Sequence, residues 1–460
     1  MLKNAAGSKP LEYLDFDLEI HSEDGNGYRV AVRSPAGDAI SSLRLPFDDA
    51  EWGQRRAAWD NALQQGRHVS PVQAGSATAS PALVAAEALI REMGQELFDA
   101  LFNSTVRGLY SASRTQAQTQ GKGLRVRLNV HPSSLALLPW ECLYDPGRAE
   151  YLCLSSQTPL VRYLAVQQPM QALQVAAPLR VLGMVAKPSD QRPLDVAGEK
   201  RRIAEALRDL CNSGQVELHW LEGQTWSALQ TAMRQGPWHI FHFIGHGSFD
   251  DLRQVGYLAL ADENGRTYRL SAVQLKMLLS DHSSLRLVVL NSCEGASGAA
   301  SDVFAGSAAS LVRGGMPATV AMQFEISDKA AIAFSRAFYG AIAHSWPVDA
   351  ALVEARKAIQ LTLPDAIEWS TPVLYMRSPD GILFQETPPV PASSPAPVVK
   401  REIQKKALQQ KRDQLAAQYA AAFQNELEER DLAEKVAIGT KIKRLGEDLQ
   451  KVEDELNQLN

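Results

Sequence analysis

The chain has 460 residues, of which 45% are hydrophobic and 22% charged, with a formal net charge of −5. That length exceeds one ordinary core and allows two or three compact units. The mild acidity excludes the electrostatic footprint of a nucleic-acid or anionic-membrane binder, and no run of roughly 18 apolar residues occurs to span a bilayer.

The first residues, Met1-Leu2-Lys3-Asn4, do not open a signal-peptide apolar core, so a cytoplasmic protein is expected. Up to Phe47, apolar and polar residues alternate around the turn-formers Glu23-Asp24-Gly25-Asn26-Gly27 and Ala36-Gly37-Asp38, which predicts a small antiparallel ribbon. Helical spacing follows from Pro81 to Leu109, then an extended piece at Leu124 to Val130. Next come Leu138-Pro139-Trp140-Glu141, Tyr144-Asp145-Pro146 and Thr158-Pro159-Leu160-Val161-Arg162-Tyr163. Residues 1–175 thus read as an N-terminal α/β accessory part.

Over residues 176–384 short apolar runs alternate with amphipathic segments, the pattern of a mainly parallel sheet flanked by helices. Strands are predicted at Arg180 to Val185, Val216 to Leu221, His239 to Ile244, Leu285 to Leu290, Thr319 to Gln323 and Val373 to Met376. Thr225, Ser271 and Ser327-Asp328 each place a side-chain acceptor at a helix start. Tyr257 to Leu260 and Thr267 to Leu270, split by Glu263-Asn264-Gly265, read as an inserted hairpin. Residues 385–399 are rich in proline and read as a stiff linker. Within 400–460, Ile438, Ile442, Leu445, Leu449, Val452, Leu456 and Leu459 form an a/d heptad seam. The covering helix is expected to be the preceding one, bearing Leu408, Leu415, Tyr419, Ala422 and Leu427 and folded back around Glu428 to Asp431. This hairpin either satisfies itself or serves oligomerisation or docking of another protein.

Two reactive side chains stand just beyond the carboxyl ends of very apolar strands, the edge where ligands bind in open α/β sheets. Trp238 to Ile244 leads into Gly245-His246-Gly247, and Leu285 to Leu290 leads into Asn291-Ser292-Cys293-Glu294-Gly295. An imidazole beside a thiol makes a nucleophile and a proton donor for a leaving amine; the N–H groups of Gly247 and Cys293 suit a developing oxyanion. On spacing alone, packing remains open, as does a zinc set of His242, His246 and Cys293 that lacks an evident fourth ligand. His239 points to the other strand face and reads as structural. The remaining cysteines, Cys142, Cys153 and Cys211, form no CxxC and read as small buried hydrophobes. Gly306 to Pro317 lacks the lysine of a phosphate loop and reads as a closely packed helix, and Gly295 to Ser301 as a loop beside the site. No cofactor or metal is expected.

Phe241-His242-Phe243-Ile244-Gly245-His246-Gly247 and Val289-Leu290-Asn291-Ser292-Cys293-Glu294-Gly295 resemble the two signature motifs of the CHAT domain, a family of caspase- and separase-like cysteine peptidases. The Leu138–Glu141, Tyr144–Pro146 and Thr158–Tyr163 stretches, Glu199-Lys200 and Ser310 to Gly315 fit the same family, over roughly Gln95 to Phe384. The resemblance implies a caspase-like fold and the hydrolysis of peptide bonds by a dyad of His246 as base and acid and Cys293 as nucleophile. Gly247 and the Cys293 amide would form the oxyanion hole. In similar folds the pocket for the residue before the cleaved bond draws on loops that here hold Asp190, Asn291 and Glu325, and the acids favour a basic side chain. The family also implies release of activity by a partner in bacterial signalling or defence, with 400–460 as adaptor. The alternative is an inactive scaffold that keeps the fold and assembles through the hairpin.

Overall fold

The computed structural model describes residues 12–23, 27–67, 81–136, 138–164, 170–192, 194–250, 255–292, 301–324, 326–364, 366–386, 397–428 and 432–458. The chain divides into two compact units, Met1–Glu386 and Thr387–Asn460.

The first unit is built on an eleven-stranded sheet. Its strands, in chain order, are β1 (Tyr13–Glu23), β2 (Gly27–Ser34), β3 (Gly37–Leu43), β4 (Gly123–Val130), β5 (Leu160–Tyr163), β6 (Leu179–Val185), β7 (Val216–Trp220), β8 (Ile240–Gly245), β9 (Leu287–Ser292), β10 (Ala318–Met322) and β11 (Pro372–Met376). Their spatial order is β7-β6-β8-β9-β10-β11-β5-β4-β1-β2-β3. The run β7 to β10 is parallel. β11 joins β10 antiparallel, and β11, β5, β4 and β1 are again parallel. The first half therefore points its carboxyl ends to one edge and the second half to the other. β1, β2 and β3 close the sheet as the expected antiparallel ribbon.

Both faces of β6, β8, β9 and β10 are covered, which is why these strands read as largely apolar runs, whereas the edge strand β7, Val216-Glu217-Leu218-His219-Trp220, alternates. Ile240, Ile244, Leu287 and Val289 share a core with Leu207, Phe334 and Leu352, on helices Val196–Asn212, Asp328–Ala343 and Val348–Thr362. Phe241, Phe243, Val288 and Leu290 pack on the other face with Leu229, Leu275 and Val312, on helices Trp226–Arg234, Ala272–Leu279 and Ser301–Arg313. The predicted caps are in place: Thr225 accepts from the Ala228 N–H, Ser271 from that of Gln274 in a reciprocal capping box, and Ser327 from that of Ala330. Each such cap contributes about 1 kcal/mol.

One strand differs usefully from its sequence reading. Expected over Leu285 to Leu290, β9 runs from Leu287 to Ser292, because Asn291 and Ser292 keep pairing with Ile244 and Gly245 after the apolar run ends. The inserted hairpin is a three-stranded sheet of Gly247–Asp250, Val255–Ala261 and Thr267–Ser271.

In the second unit, helices Pro397–Glu428 and Leu432–Gln458 form a hairpin. Ile442, Val452 and Leu456 are buried and Ile438, Leu445 and Leu449 half-buried, opposite buried Ala422 and half-buried Leu408, Leu415 and Tyr419. The seam is the heptad stripe read from the sequence, less Leu459, which lies outside the described residues. Of the expected linker 385–399, residues 385–386 belong to the strand Phe384–Glu386, 397–399 open the helix Pro397–Glu428, and 387–396 lie outside the described residues. No helix among the described residues is long and apolar enough to cross a membrane.

Candidate active site

His246 follows β8 directly and is 5% exposed. Its ring Nε2 lies 3.0 Å from the backbone oxygen of Arg192. A carbonyl only accepts, so Nε2 carries the proton and donates; in the neutral ring Nδ1 then holds the lone pair. The main chain is clamped too, because the His246 carbonyl accepts the Ala259 N–H at 2.9 Å. Neither Gly245 nor Gly247 has positive φ, and glycine at 245 answers a close approach instead. A Cβ there would sit 2.7 Å from the Phe243 ring and 3.1 Å from the Ala186 carbonyl oxygen.

The loop that supplies the Arg192 carbonyl is laced to the hairpin. Asp190 Oδ1 accepts from both the amide N–H (2.9 Å) and the hydroxyl (2.6 Å) of Thr267. Gln191 Nε2 donates to the same hydroxyl at 3.0 Å, and the Ser189 N–H to the Gly265 carbonyl at 2.7 Å. The bonds from Thr267 hold the exposed Asp190 carboxyl below its usual range. Asp190 and His246 thus meet through one short loop, a link that sequence reasoning missed. The orienting atom is a backbone oxygen, which every residue carries and no motif can announce.

Asn291 sits on β9 opposite Ile244, 6% exposed, and its Oδ1 has no hydrogen-bond partner among the described residues. Cys293 comes immediately after β9 in sequence; it lies outside the described residues with the rest of 293–300, which includes most of the expected loop Gly295 to Ser301, and so does Glu325. Gly247, half-buried, begins the hairpin sheet opposite Leu258. His242 turns to helix Asp328–Ala343, where Nδ1 lies 2.6 Å from the Tyr339 hydroxyl; burial pushes its pKa down to about 4. His239 accepts the Arg180 N–H at Nδ1, and burial together with the Arg180 charge lowers it to about 4 as well. Both are neutral structural rings near pH 7. Cys142 and Cys153 are fully buried with thiol pKa values pushed up by burial, whereas Cys211 is exposed, not buried as expected, because it ends helix Val196–Asn212 on its outer side.

Residues 91–378 match the CHAT domain family, and residues 400–459 match effector-associated domain 9. No curated protein matches the chain. Among solved structures, it is similar to a chain in two crystal structures of the Saccharomyces cerevisiae separase–securin complex. The one at 3.0 Å resolution gives 11% identity and a TM-score of 0.46 over 80% of this chain, and the one at 2.6 Å gives 10% and 0.40 over 79%. In both, the match spans 30% of the other chain.

Proposed function

The chain belongs to the CHAT domain family, and on that premise we propose that it is a cysteine endopeptidase in which His246 and Cys293 form the catalytic dyad. The observation that carries this reading is the register of β8 and β9: Gly245 is the partner of Ser292 at the carboxyl ends of two parallel strands. The next residues in sequence are His246 and Cys293, and neighbouring strands run about 4.8 Å apart. The protonation of His246 fits the task. With Nε2–H engaged by Arg192, Nδ1 is the atom that takes the thiol proton.

The thiolate then attacks the scissile carbonyl, and the N–H groups of Gly247 and Cys293 stabilise the oxyanion. Collapse of the tetrahedral intermediate breaks the C–N bond, with the Nδ1 proton passing to the leaving amine and a thioester remaining on Cys293. Water, deprotonated by His246, hydrolyses the thioester and restores the thiol. Asp190, Asn291 and Glu325 serve the pocket for the residue before the cut, with a basic side chain preferred. The substrate is a protein or peptide, and a partner that engages the 400–460 hairpin controls the activity in a bacterial signalling or defence setting. The match of that hairpin to an effector-associated domain supports this arrangement.

The test is cleavage of a diverse peptide library by the full chain, by Cys293→Ala and His246→Ala, and by a chain ending at Glu386. Cleavage lost in Cys293→Ala and reduced about 10²–10⁴-fold in His246→Ala supports the dyad. Cleavage by the shortened chain alone makes the hairpin inhibitory. Cleavage that survives in Cys293→Ala sinks the proposal.

A further inference from the structure

Five and six strands away from β8, β4 and β1 bring together three metal-ligating side chains. Glu19 and His21 alternate onto one face of β1. His131 follows β4 next to them, its N–H bonded to the Ile20 carbonyl at 3.0 Å. Glu19 Oε1 lies 3.3 Å from His21 Nε2 and 3.0 Å from His131 Nε2, so both imidazoles aim the same atom at one carboxylate oxygen. The rings stack with centroids 4.2 Å apart and planes 15° from parallel.

We propose that Glu19, His21 and His131 form a binding site for a divalent cation of the zinc class, held by two imidazole nitrogens and one carboxylate oxygen with a further position for water. Zinc bonds of about 2.0–2.2 Å to N and O, spread tetrahedrally, set neighbouring ligand atoms about 3.3–3.5 Å apart. The two N···O spacings already stand near that value, and all three ligand atoms lie within 4.8 Å of one another. The side chains are about one-third to one-half exposed, which lets an ion enter and keep a water.

The neighbouring rungs of the same strand pair argue against an ordinary charge ladder here. Asp15 and Asp17 on β1 are answered from β4 by Arg125 and Arg127, whose guanidinium groups cannot ligate a metal. At Glu19 both answering groups are imidazoles, which favour zinc, copper and nickel. Glu19 and His21 precede the CHAT match at residues 91–378 and His131 lies inside it, so the site joins the N-terminal ribbon to the matched region. Because β1 and β4 end at the edge opposite His246, the ion has no place in peptide cleavage. It would staple two strands that are far apart in sequence.

The experiment uses the full chain carrying Cys293→Ala, stripped with a chelator and titrated with zinc by calorimetry, with the thermal midpoint recorded alongside. The expected result is one zinc ion per chain and a raised midpoint. Binding should weaken at least about tenfold in His21→Ala, in His131→Ala and in Glu19→Gln, a near-isosteric change that keeps the test valid if a histidine variant does not fold. Failure of the parent to take up zinc, or uptake undiminished in Glu19→Gln, overturns the proposal. Neither result bears on the peptidase reading, which the Cys293 and His246 variants test separately.

Discussion

Glu141 and Arg162 form a bidentate ion pair sealed from water, with Nε–Oε1 at 3.0 Å and Nη2–Oε2 at 2.7 Å and exposures of 2% and 4%. The same guanidinium donates to the carbonyls of Ala136 and Leu138 and lies over the Tyr375 ring. It therefore ties the Trp140–Cys142 turn and β5 to β11, where the two halves of the sheet join. Removing one partner leaves a buried charge unanswered, so Arg162→Met should cost about 3–5 kcal/mol. Arg162→Met combined with Glu141→Leu should cost less than Arg162→Met alone, because no carboxylate is then stranded. Urea unfolding of the parent and these variants reads both numbers, and a double variant weaker than the single would refute the assignment.

Gly245 lies between a ring and a carbonyl oxygen at the foot of His246, so Gly245→Ala must push the strand end away from Ala186. Overpacking of this kind costs about 1–3 kcal/mol. The larger effect is expected on catalysis, since a displacement near 1 Å at a reacting group can cost about 100-fold in rate. The prediction is a variant that unfolds at moderately lower urea concentration yet cleaves peptide about two orders of magnitude more slowly. Loss of stability with an unchanged rate would show that His246 tolerates the shift.

Local patterns made much of this legible. The apolar runs of β6, β8 and β9, the acceptors at Thr225, Ser271 and Ser327 and the heptad seam are signals carried by a few adjacent residues. The reversal at β10 and β11 was not legible. Val373 to Met376 is apolar on both faces, and that run reads the same whether its neighbour is parallel or antiparallel. Nor were the pairings of Glu141 with Arg162 or of Asp190 with Thr267, in which both residues are visible but only the fold makes them neighbours. In the site, His246 could be read from its place after an apolar strand. Its orienting partner could not, because a main-chain oxygen has no letter in the sequence.

Through its bonds to Thr267, Asp190 ties down the loop whose Arg192 carbonyl orients His246; it also stands where the proposed pocket calls for an acid, and two substitutions separate these roles. Thr267→Val deletes the hydroxyl bond to Asp190 and leaves its charge in place; Asp190→Asn removes the charge and keeps an acceptor. If Asp190 selects a basic side chain, Asp190→Asn should raise KM for peptides with Arg or Lys before the cut, while Thr267→Val leaves the preference intact. If it only steadies the loop, Thr267→Val should lower kcat, and Asp190→Asn, which keeps the acceptor, should lower it less, with no change of preference in either. Equal, unaltered kinetics in both would remove Asp190 from the site altogether.

His242 makes the fold acid-sensitive, and the sign follows from its burial. Its pKa falls to about 4 in the folded chain, against 6.5 for an unperturbed histidine. Above pH 6.5 both states hold it neutral and it adds nothing to the pH dependence. Between 6.5 and about 4 the unfolded chain takes a proton that the folded chain refuses, so stability falls as pH falls, by up to about 1.4 kcal/mol per pH unit. His239 acts in the same direction over the same window, so replacing His242 alone should remove only part of the effect. His242→Phe keeps an aromatic ring against Tyr339, and the hydrogen bond it loses is a cost independent of pH. Between pH 7 and pH 5 the parent should therefore lose about 1–2 kcal/mol more than His242→Phe in urea unfolding. Equal losses would mean that the buried ring takes up its proton without unfolding, and that the Tyr339 contact admits the charged form.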